Sequence, residues 1–303
     1  MGKTVLITGA SGLIGKPLSR LLLEKGYTVH QLSRNISKAN KDVKIFKWDV
    51  SRMTIDESCL DNVDAIINLA GEGIADKAWT NKRKIEIVKS RTDSLKLLYD
   101  LLKKKPEHNV KTFISSSAVG HYGDRKDEIL NEKSEPGTDF MANTCLSWER
   151  SAVKIEALVP RLIIFRTGVV LSKEGGALPQ LAKPIKLGFG AVLGTGKQWV
   201  PWIHIEDTIR IFLYALENEN INGVFNMAAP FPVTNAELTK ACANQFKKPL
   251  WLPHVPEIAL RIALGEMSRV VLNSTRISAD KLIETGFKFK FSKIESALQH
   301  LYE

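Results

Sequence analysis

Residues Thr4 to Gly15, T-V-L-I-T-G-A-S-G-L-I-G, constrain the fold more than any other stretch of the chain. Val5-Leu6-Ile7 is a short apolar run of the kind that forms a strand covered on both faces. The run breaks at Gly9, and the apolar spacing through Leu18, Leu21 and Leu22 predicts a helix starting near Gly12. Strand, glycine turn and helix in that order open a βαβ unit, and the glycines then have separate duties. Gly9 permits the tight turn, Gly12 lets backbone N–H groups approach a pyrophosphate, and Gly15 lets helix and strand pack closely. Ser11, Leu13 and Ile14 belong to the same phosphate-holding turn, where unpaired N–H groups and the helix dipole favour negative charge.

The following segments keep the same alternation of strand and helix. Gly26 is a natural stop for the first helix, and Thr28 to Leu32 reads as strand 2, ending at Ser33-Arg34. In a dinucleotide fold an acidic residue at this tip would bond the ribose 2′-hydroxyl and select NAD. Here a hydroxyl and a guanidinium stand in its place, and the planar fork of donors suits a 2′-phosphate, so the expected cofactor is NADP(H). Val43 to Phe46 predicts strand 3, with Asp49 beyond it within range of the adenine amino group. Asp64 to Leu69 predicts strand 4, followed by the small-residue turn Ala70-Gly71. The loop from Gly71 to Trp79 is long enough to act as a lid. Thr80 then opens a long amphipathic helix, Val110 to Ser115 is strand 5, Asp139 to Ala157 is helical and Arg161 to Phe165 is strand 6.

After Leu171 the pattern changes. Glycines and prolines interrupt short helices, as expected of a smaller substrate lobe over the carboxyl ends of the strands. Val200 to Asp207 is expected to bring the chain back to the sheet, and Gly223 to Met227 to be a last strand. The expected division is therefore 1–170 for the NADP(H)-binding domain, its sheet completed by about 200–230, and 171–303 mostly for the C-terminal lobe.

The charge of +10 invites a nucleic-acid reading, but the Lys and Arg residues are spread along the chain. The short clusters Lys82-Arg83-Lys84 and Lys103-Lys104-Lys105 lack interleaved aromatics and read as solvated helix faces. Neither a nucleic acid nor a membrane is an expected partner, since no apolar segment reaches bilayer length. The chain enters strand 1 without a charged leader, which implies no secretory signal. Cys59, Cys145 and Cys242 show no metal-ligand spacing, so no metal is expected, and reduced thiols in the cytoplasm are the simple account.

The spacing G-x-x-G-x-x-G after Thr8, with N-L-A-G at 68–71 and Tyr122-Gly123 after strand 5, resembles the extended short-chain dehydrogenase/reductase superfamily. Further segments narrow the resemblance to its atypical members, the NAD(P)-dependent epimerase family proteins. These are W-E at 148–149, R-T-G-V-V-L at 166–171, G-G-A-L at 175–178, P-W-I-H-I-E-D at 201–207 and T-G-F at 285–287. The resemblance implies a Rossmann-type, doubly wound parallel α/β sheet with a smaller lobe. It also implies NADP(H) contacts at Ser33, Arg34, Leu69, Ala70, Gly71, Glu86, Arg91 and Val170, and a homodimer formed through the helices near 80–104 and 139–157.

The same resemblance exposes a departure. Superfamily chemistry uses Y-x-x-x-K on the helix after strand 5, where Tyr is the acid/base and Lys lowers its pKa. Anchored on Glu149, those positions hold Met141 and Cys145, neither suited to the work. Tyr99/Lys103 lies on the preceding helix and Tyr122/Lys126 spans a turn, so both are read as chance. Ser117, at the superfamily's hydroxyl position, and Tyr122 remain the catalytic candidates, with His121, Trp202 and His204 as substrate contacts. Each also reads as a satisfied polar group beside a pocket. The expected function is an NADP(H)-dependent oxidoreductase or epimerase acting on a small polar carbonyl or sugar-like substrate. The alternative is a non-catalytic NADP(H)-binding protein that senses redox state or supports a partner.

Overall fold

The structure, a computed structural model, describes residues 2–36 and 43–303. Its central sheet contains β1 (Thr4–Thr8), β2 (Thr28–Ser33), β3 (Val43–Asp49), β4 (Thr54–Ile55), β5 (Ala65–Asn68), β6 (Thr112–Ala118), β7 (Arg161–Thr167) and β8 (Gly223–Met227). Their order is β8-β7-β6-β5-β1-β2-β3-β4. All neighbours run parallel except β3 and β4. The longer helices are α1 (Gly15–Glu24), α2 (Asn81–Lys104), α3 (Phe140–Val153), α4 (Ala177–Lys186), α5 (Ile205–Glu217), α6 (Asn235–Gln245), α7 (Glu257–Leu264) and α8 (Ile294–Tyr302).

Strand periodicity builds the layers. Val5 and Ile7 of β1 and Ile67 of β5 pack with Leu18 and Leu22 of α1 and with Ile211 and Phe212 of α5. Leu6 and Ile66, one step along the same strands, face Leu95, Leu98 and Leu102 of α2 and Trp148 of α3. Successive side chains thus feed opposite faces, as a parallel sheet covered by helices requires. The direction of chain progress reverses between β1 and β5, which places a crevice outside the carboxyl ends of these strands.

The eight-stranded, doubly wound sheet matches the expected fold class, while several boundaries differ. The strand expected to end at Ser115 runs to Ala118, and the one expected to end at Phe165 runs to Thr167, because the two remain paired through Ala118 and Thr167. The helix expected from Gly12 starts at Gly15, since residues 9–12 form a turn closed by the Gly12 N–H on the Gly9 carbonyl at 3.0 Å. Asp139 caps α3 rather than opening it, accepting the Ala142 N–H at 2.9 Å. Val200 to Asp207 does not rejoin the sheet: Trp202–His204 pairs with Val169–Leu171 in a separate two-stranded ladder. The chain leaves the sheet at Gly168, where a Cβ would collide with the Pro201 carbonyl oxygen.

Leu171, Leu178, Trp202, Leu238, Phe291 and Leu298 form a separate apolar cluster in the lobe. The segment after α7 also returns to the sheet layer, where Leu282 and Phe287 join the core beside α5.

Candidate functional site

At the carboxyl end of β1, backbone is packed so closely that side chains cannot enter. Gly9 has φ +66°, and a Cβ there would lie 2.8 Å from the Leu69 carbonyl oxygen. A Cβ at Gly15 would press into the Gly9 carbonyl and lie 2.6 Å from Ala10 Cα. Gly9 needs glycine on two counts, conformation and close approach, and Gly15 on close approach alone. The first turn of α1 carries no acidic residue, and Ile14 supplies no side-chain cap, so the positive helix end faces the crevice unneutralised. This cradle and its bare N–H groups fit a diphosphate. Leu13 lies against the Gly175-Gly176 turn, within 3.2 Å of where a Gly176 Cβ would be, so the lobe reaches the same loop.

The neighbouring turn is tied to β1 by one hydroxyl. Thr8 Oγ1 donates to Asn68 Oδ1 at 2.8 Å and accepts the Leu69 and Ala70 N–H groups, both at 3.0 Å. Beneath this turn Arg91 is buried, donating to the Ile87 carbonyl at 2.8 Å and the Glu72 carbonyl at 3.1 Å, with its guanidinium over the Trp148 ring. Burial pulls its pKa down, and it makes no ion pair among the described residues. A buried cation without a carboxylate beside a glycine turn is a ready partner for an anion. Glu86, expected at the cofactor, is paired with Arg83 at 3.2 Å, and Arg83 also reaches Glu72 at 3.3 Å. At the tip of β2, Ser33 Oγ closes a local turn by donating to the Asn35 carbonyl at 2.8 Å, and Arg34 is exposed. Asp49 is turned into its own loop, accepting from Ser51 and Arg52, and so is not directed at an adenine.

The carboxyl end of β6 is built differently, from buried polar side chains. Ser117 Oγ donates to Glu149 Oε1 at 2.6 Å. Arg166 grips the same carboxylate with two parallel bonds, Nε to Oε1 at 3.0 Å and an Nη to Oε2 at 2.9 Å. Burial works against the Arg166 charge, but the Glu149 carboxylate outweighs it and raises the pKa further. The other Nη of Arg166 donates to Tyr122 Oη at 2.9 Å, and Tyr122 in turn donates to Asn226 Oδ1 at 2.7 Å. Tyr122 is fully buried and its phenol pKa is raised by that burial. Its hydroxyl is therefore engaged on both sides, which pins the ring between β7 and β8. Lys126 does not help it: the backbone reverses at Gly123 and the ammonium pairs with Asp124 at 2.6 Å.

His121 is also buried, with Nδ1 at 3.5 Å from Glu149 Oε1 and without a hydrogen bond. Burial lowers its pKa, holding the ring neutral at pH 7. Met141 and Cys145 sit side by side under Gly120, within 3.3 and 3.7 Å of where its Cβ would be. Burial pushes the Cys145 thiol up to about 12, leaving it protonated and inert. Glu149, Arg166 and Asn226 were not among the sequence candidates. W-E and R-T-G carried the first two as motif letters, whereas nothing local marked Asn226.

Trp202 and His204, expected at the substrate, do other work here. Trp202 is fully buried in the lobe and donates to the Phe231 carbonyl at 3.2 Å. His204 caps α5, its Nδ1 accepting the Glu206 N–H at 3.0 Å, and its ring stacks on Phe291. Burial and the neighbouring His300 lower its pKa to about 4. His204 Nε2, His300 and Glu206 come close enough to suggest a metal site. The cap forbids it, because an Nδ1 that accepts a hydrogen bond leaves the proton on Nε2, which points at His300 Nδ1 3.2 Å away.

An open cleft of ≈ 710 Å³ starts at Tyr122 and Gly123 and runs between the 136–139 loop and the 257–273 segment. Asp124, Asp139, Arg261, Arg269 and Asn273 line it. An ion pair between Lys84 of α2 and Glu266 links this C-terminal segment to the long helix.

Comparison with known proteins shows the family and the fold. The NAD dependent epimerase/dehydratase family model matches residues 5–228, and a domain of unknown function, DUF1731, matches residues 255–301. The chain is 38% identical over 299 residues to the epimerase family protein YfhF of Bacillus subtilis, covering 98% of this chain and 97% of that one. It is 34% identical to the chloroplastic SDR39U1 homolog of Arabidopsis thaliana, covering 99% and 87%. Human epimerase family protein SDR39U1, solved with NADPH, superposes with a TM-score of 0.86 at 28% identity, covering 98% of each chain. A nucleoside-diphosphate sugar epimerase from Corynebacterium glutamicum gives a TM-score of 0.80 at 33% identity, covering 99% of this chain and 58% of that one. From the glycine turn to the last sheet strand, this chain belongs to the NAD-dependent epimerase/dehydratase family.

Proposed function

We propose that the protein binds NADP(H) and uses it as an oxidoreductase or epimerase on a small polar carbonyl or sugar-like substrate. The observation that carries this reading is the pairing of a glycine turn at residues 9–15, where Gly9 and Gly15 leave no room for a Cβ, with a β2 tip that bears Arg34 and no carboxylate. The backbone of Ser11, Gly12, Leu13 and Ile14 holds the diphosphate, and Ser33 and Arg34 hold the 2′-phosphate. Leu69, Ala70, Gly71 and Val170 lie along the remainder, with Arg91 beneath and Glu86 near the mouth. Once bound, the nicotinamide supplies the hydride chemistry, and the protein orients it against the end of β6. NADPH in the solved human relative supports the choice of cofactor.

The β6 end favours a second reading. With Met141 and Cys145 at the dyad positions and Tyr122 saturated, a non-catalytic NADP(H)-binding protein is the alternative. The same proposal includes a homodimer through α2 and α3 and a cytoplasmic location without nucleic-acid partners. Among the described residues no helix is long and apolar enough to cross a membrane.

Nicotinamide fluorescence separates the two readings. NADPH binding with oxidation dependent on one member of a carbonyl and sugar-nucleotide panel supports the enzyme. Tight binding without any substrate-dependent oxidation supports the alternative, and absence of binding overturns both.

A further inference from the structure

We propose that the C-terminal lobe docks on an anionic membrane surface through the turn that ends α4. Three apolar side chains enter the headgroup layer there, and four lysines face it. Leu187, Phe189 and Trp251 are 64, 62 and 65% exposed. They are neighbours, because Trp251 Nε1 donates at 3.0 Å to the carbonyl of Gly188, which stands between the other two. Backbone bonds hold the turn in place. The Gly188 N–H donates to the Ile185 carbonyl and the Phe189 N–H to the Pro184 carbonyl, both at 2.9 Å. Ile185 is turned inward at 1% exposure, and a Cβ at Gly190 would lie 2.7 Å from Ile185 and 2.9 Å from Leu250. The turns at 187–190 and 246–251 are therefore packed on each other. With its N–H satisfied, the Trp251 indole has an apolar body and one polar edge, the form that settles at a bilayer interface.

The charge around this tip has one dominant sign. Lys183 and Lys186 lie in the last turn of α4. Lys247 and Lys248 follow Phe246, whose ring centre is 4.6 Å from the Lys186 ammonium. All four lysines are exposed, and none joins an ion pair among the described residues. From residue 175 to 205 and from 238 to 256 the sequence has six lysines and no acidic residue. The Lys186 ammonium also lies over Tyr302, and Glu303 after it is the acidic residue this contact brings in. An anionic bilayer answers both features: its headgroups attract the lysines, and its acyl boundary takes the three apolar side chains out of water. A second copy fits worse, because a two-fold contact sets the same lysines against one another. A nucleic-acid strand needs a groove to track its backbone and leaves the aliphatic Leu187 in water. The expectation of no membrane partner rested on the length of apolar segments, and a turn that docks on a surface needs no spanning length.

The test is flotation of the full chain with vesicles of phosphatidylcholine containing about 30% phosphatidylglycerol, beside vesicles of phosphatidylcholine alone. The expected result is saturable binding to the anionic vesicles, weaker by at least roughly tenfold on the neutral ones and in about 0.5 M salt. Trp251 is the exposed tryptophan of the chain. Lipids brominated on the acyl chain therefore quench the protein's fluorescence, and Trp251→Phe removes most of that quenching while binding persists. Leu187→Gln with Phe189→Gln weakens binding by at least roughly tenfold, and Lys247→Gln with Lys248→Gln by severalfold, both with the thermal midpoint kept. Absence of binding to the anionic vesicles overturns the proposal. So does salt-sensitive binding that survives the Leu187 and Phe189 changes, or quenching that survives Trp251→Phe. Binding of a single-stranded oligonucleotide, or self-association in sedimentation, that is lost in the Leu187 and Phe189 variant without any vesicle binding gives the tip to another partner and also overturns it.

Discussion

The carboxyl ends of β1 and β6 lie two strands apart in one sheet, yet they solve opposite problems. At β1 the sequence removes side chains, and what faces the crevice is backbone N–H at an uncapped helix end. At β6 it crowds the space with Ser117, Tyr122, Glu149 and Arg166, whose hydrogen bonds are made with one another and with Asn226, and sets His121 Nδ1 beside them without a partner. The first end is prepared for something the chain does not contain; the second is largely tied to itself, with the Ser116 hydroxyl and His121 Nδ1 left over. A likeness to dehydrogenases at the glycine turn is therefore a statement about binding, and proton chemistry has to be argued from the β6 end itself.

The sharpest way to break this contrast is to open the closed end. Glu149→Ala leaves the Arg166 guanidinium buried without its carboxylate, which costs about 3–5 kcal/mol, read as a lower denaturant midpoint. A loss under about 1 kcal/mol would mean that the network is not the keystone of the β6 end. Gly12→Val attacks the other end and acts on binding more than on folding. It should weaken NADPH by at least a hundredfold, about 2.7 kcal/mol, and lower the thermal midpoint less than Glu149→Ala does, the new Cβ lying 3.2 Å from the Gly9 carbonyl oxygen. Retained affinity would remove the cradle from the account.

Next in size is the pH response of the lobe. His204 has its pKa lowered to about 4 by burial first and by His300 second, whereas the unfolded chain keeps an ordinary imidazole. The unfolded state therefore binds more protons between these values, so His204's contribution to stability is full above about pH 6.5 and lost as pH falls toward 4. Up to about 3 kcal/mol is at stake, and His204→Asn, which keeps a helix cap, should flatten that part of the profile. An unchanged slope would show that the ring is not held neutral. Smallest is Arg34→Ala, which should weaken NADPH by roughly tenfold and NADH by less than twofold in a fluorescence titration. Equal losses would contradict the 2′-phosphate role.

Much of the β1 end was legible in the sequence because its physics is local. A strand, three glycines and a helix lie within residues 4–24, and each glycine's duty follows from its spacing. The sheet was legible for the same reason, through apolar runs bounded by turn residues. The β6 end was not. Tyr122 finds Asn226 across 104 positions and Arg166 across 44, and no periodicity announces such partners. P-W-I-H-I-E-D misled in another way: its aromatic and imidazole residues look like substrate contacts, yet the Gly168 bend sends the segment into a side ladder where Trp202 and His204 are core. Helix ends shifted by a few residues because a cap, rather than composition, sets the first hydrogen bond.

Calorimetric titration of the unmodified chain with NADPH and then with NADH bears most directly on the central claim, that the amino-terminal cradle and Arg34 hold a phosphorylated dinucleotide. The account predicts one saturable site per chain, with NADPH at least roughly tenfold tighter than NADH. No saturable heat with either nucleotide, or a preference for NADH, would contradict it.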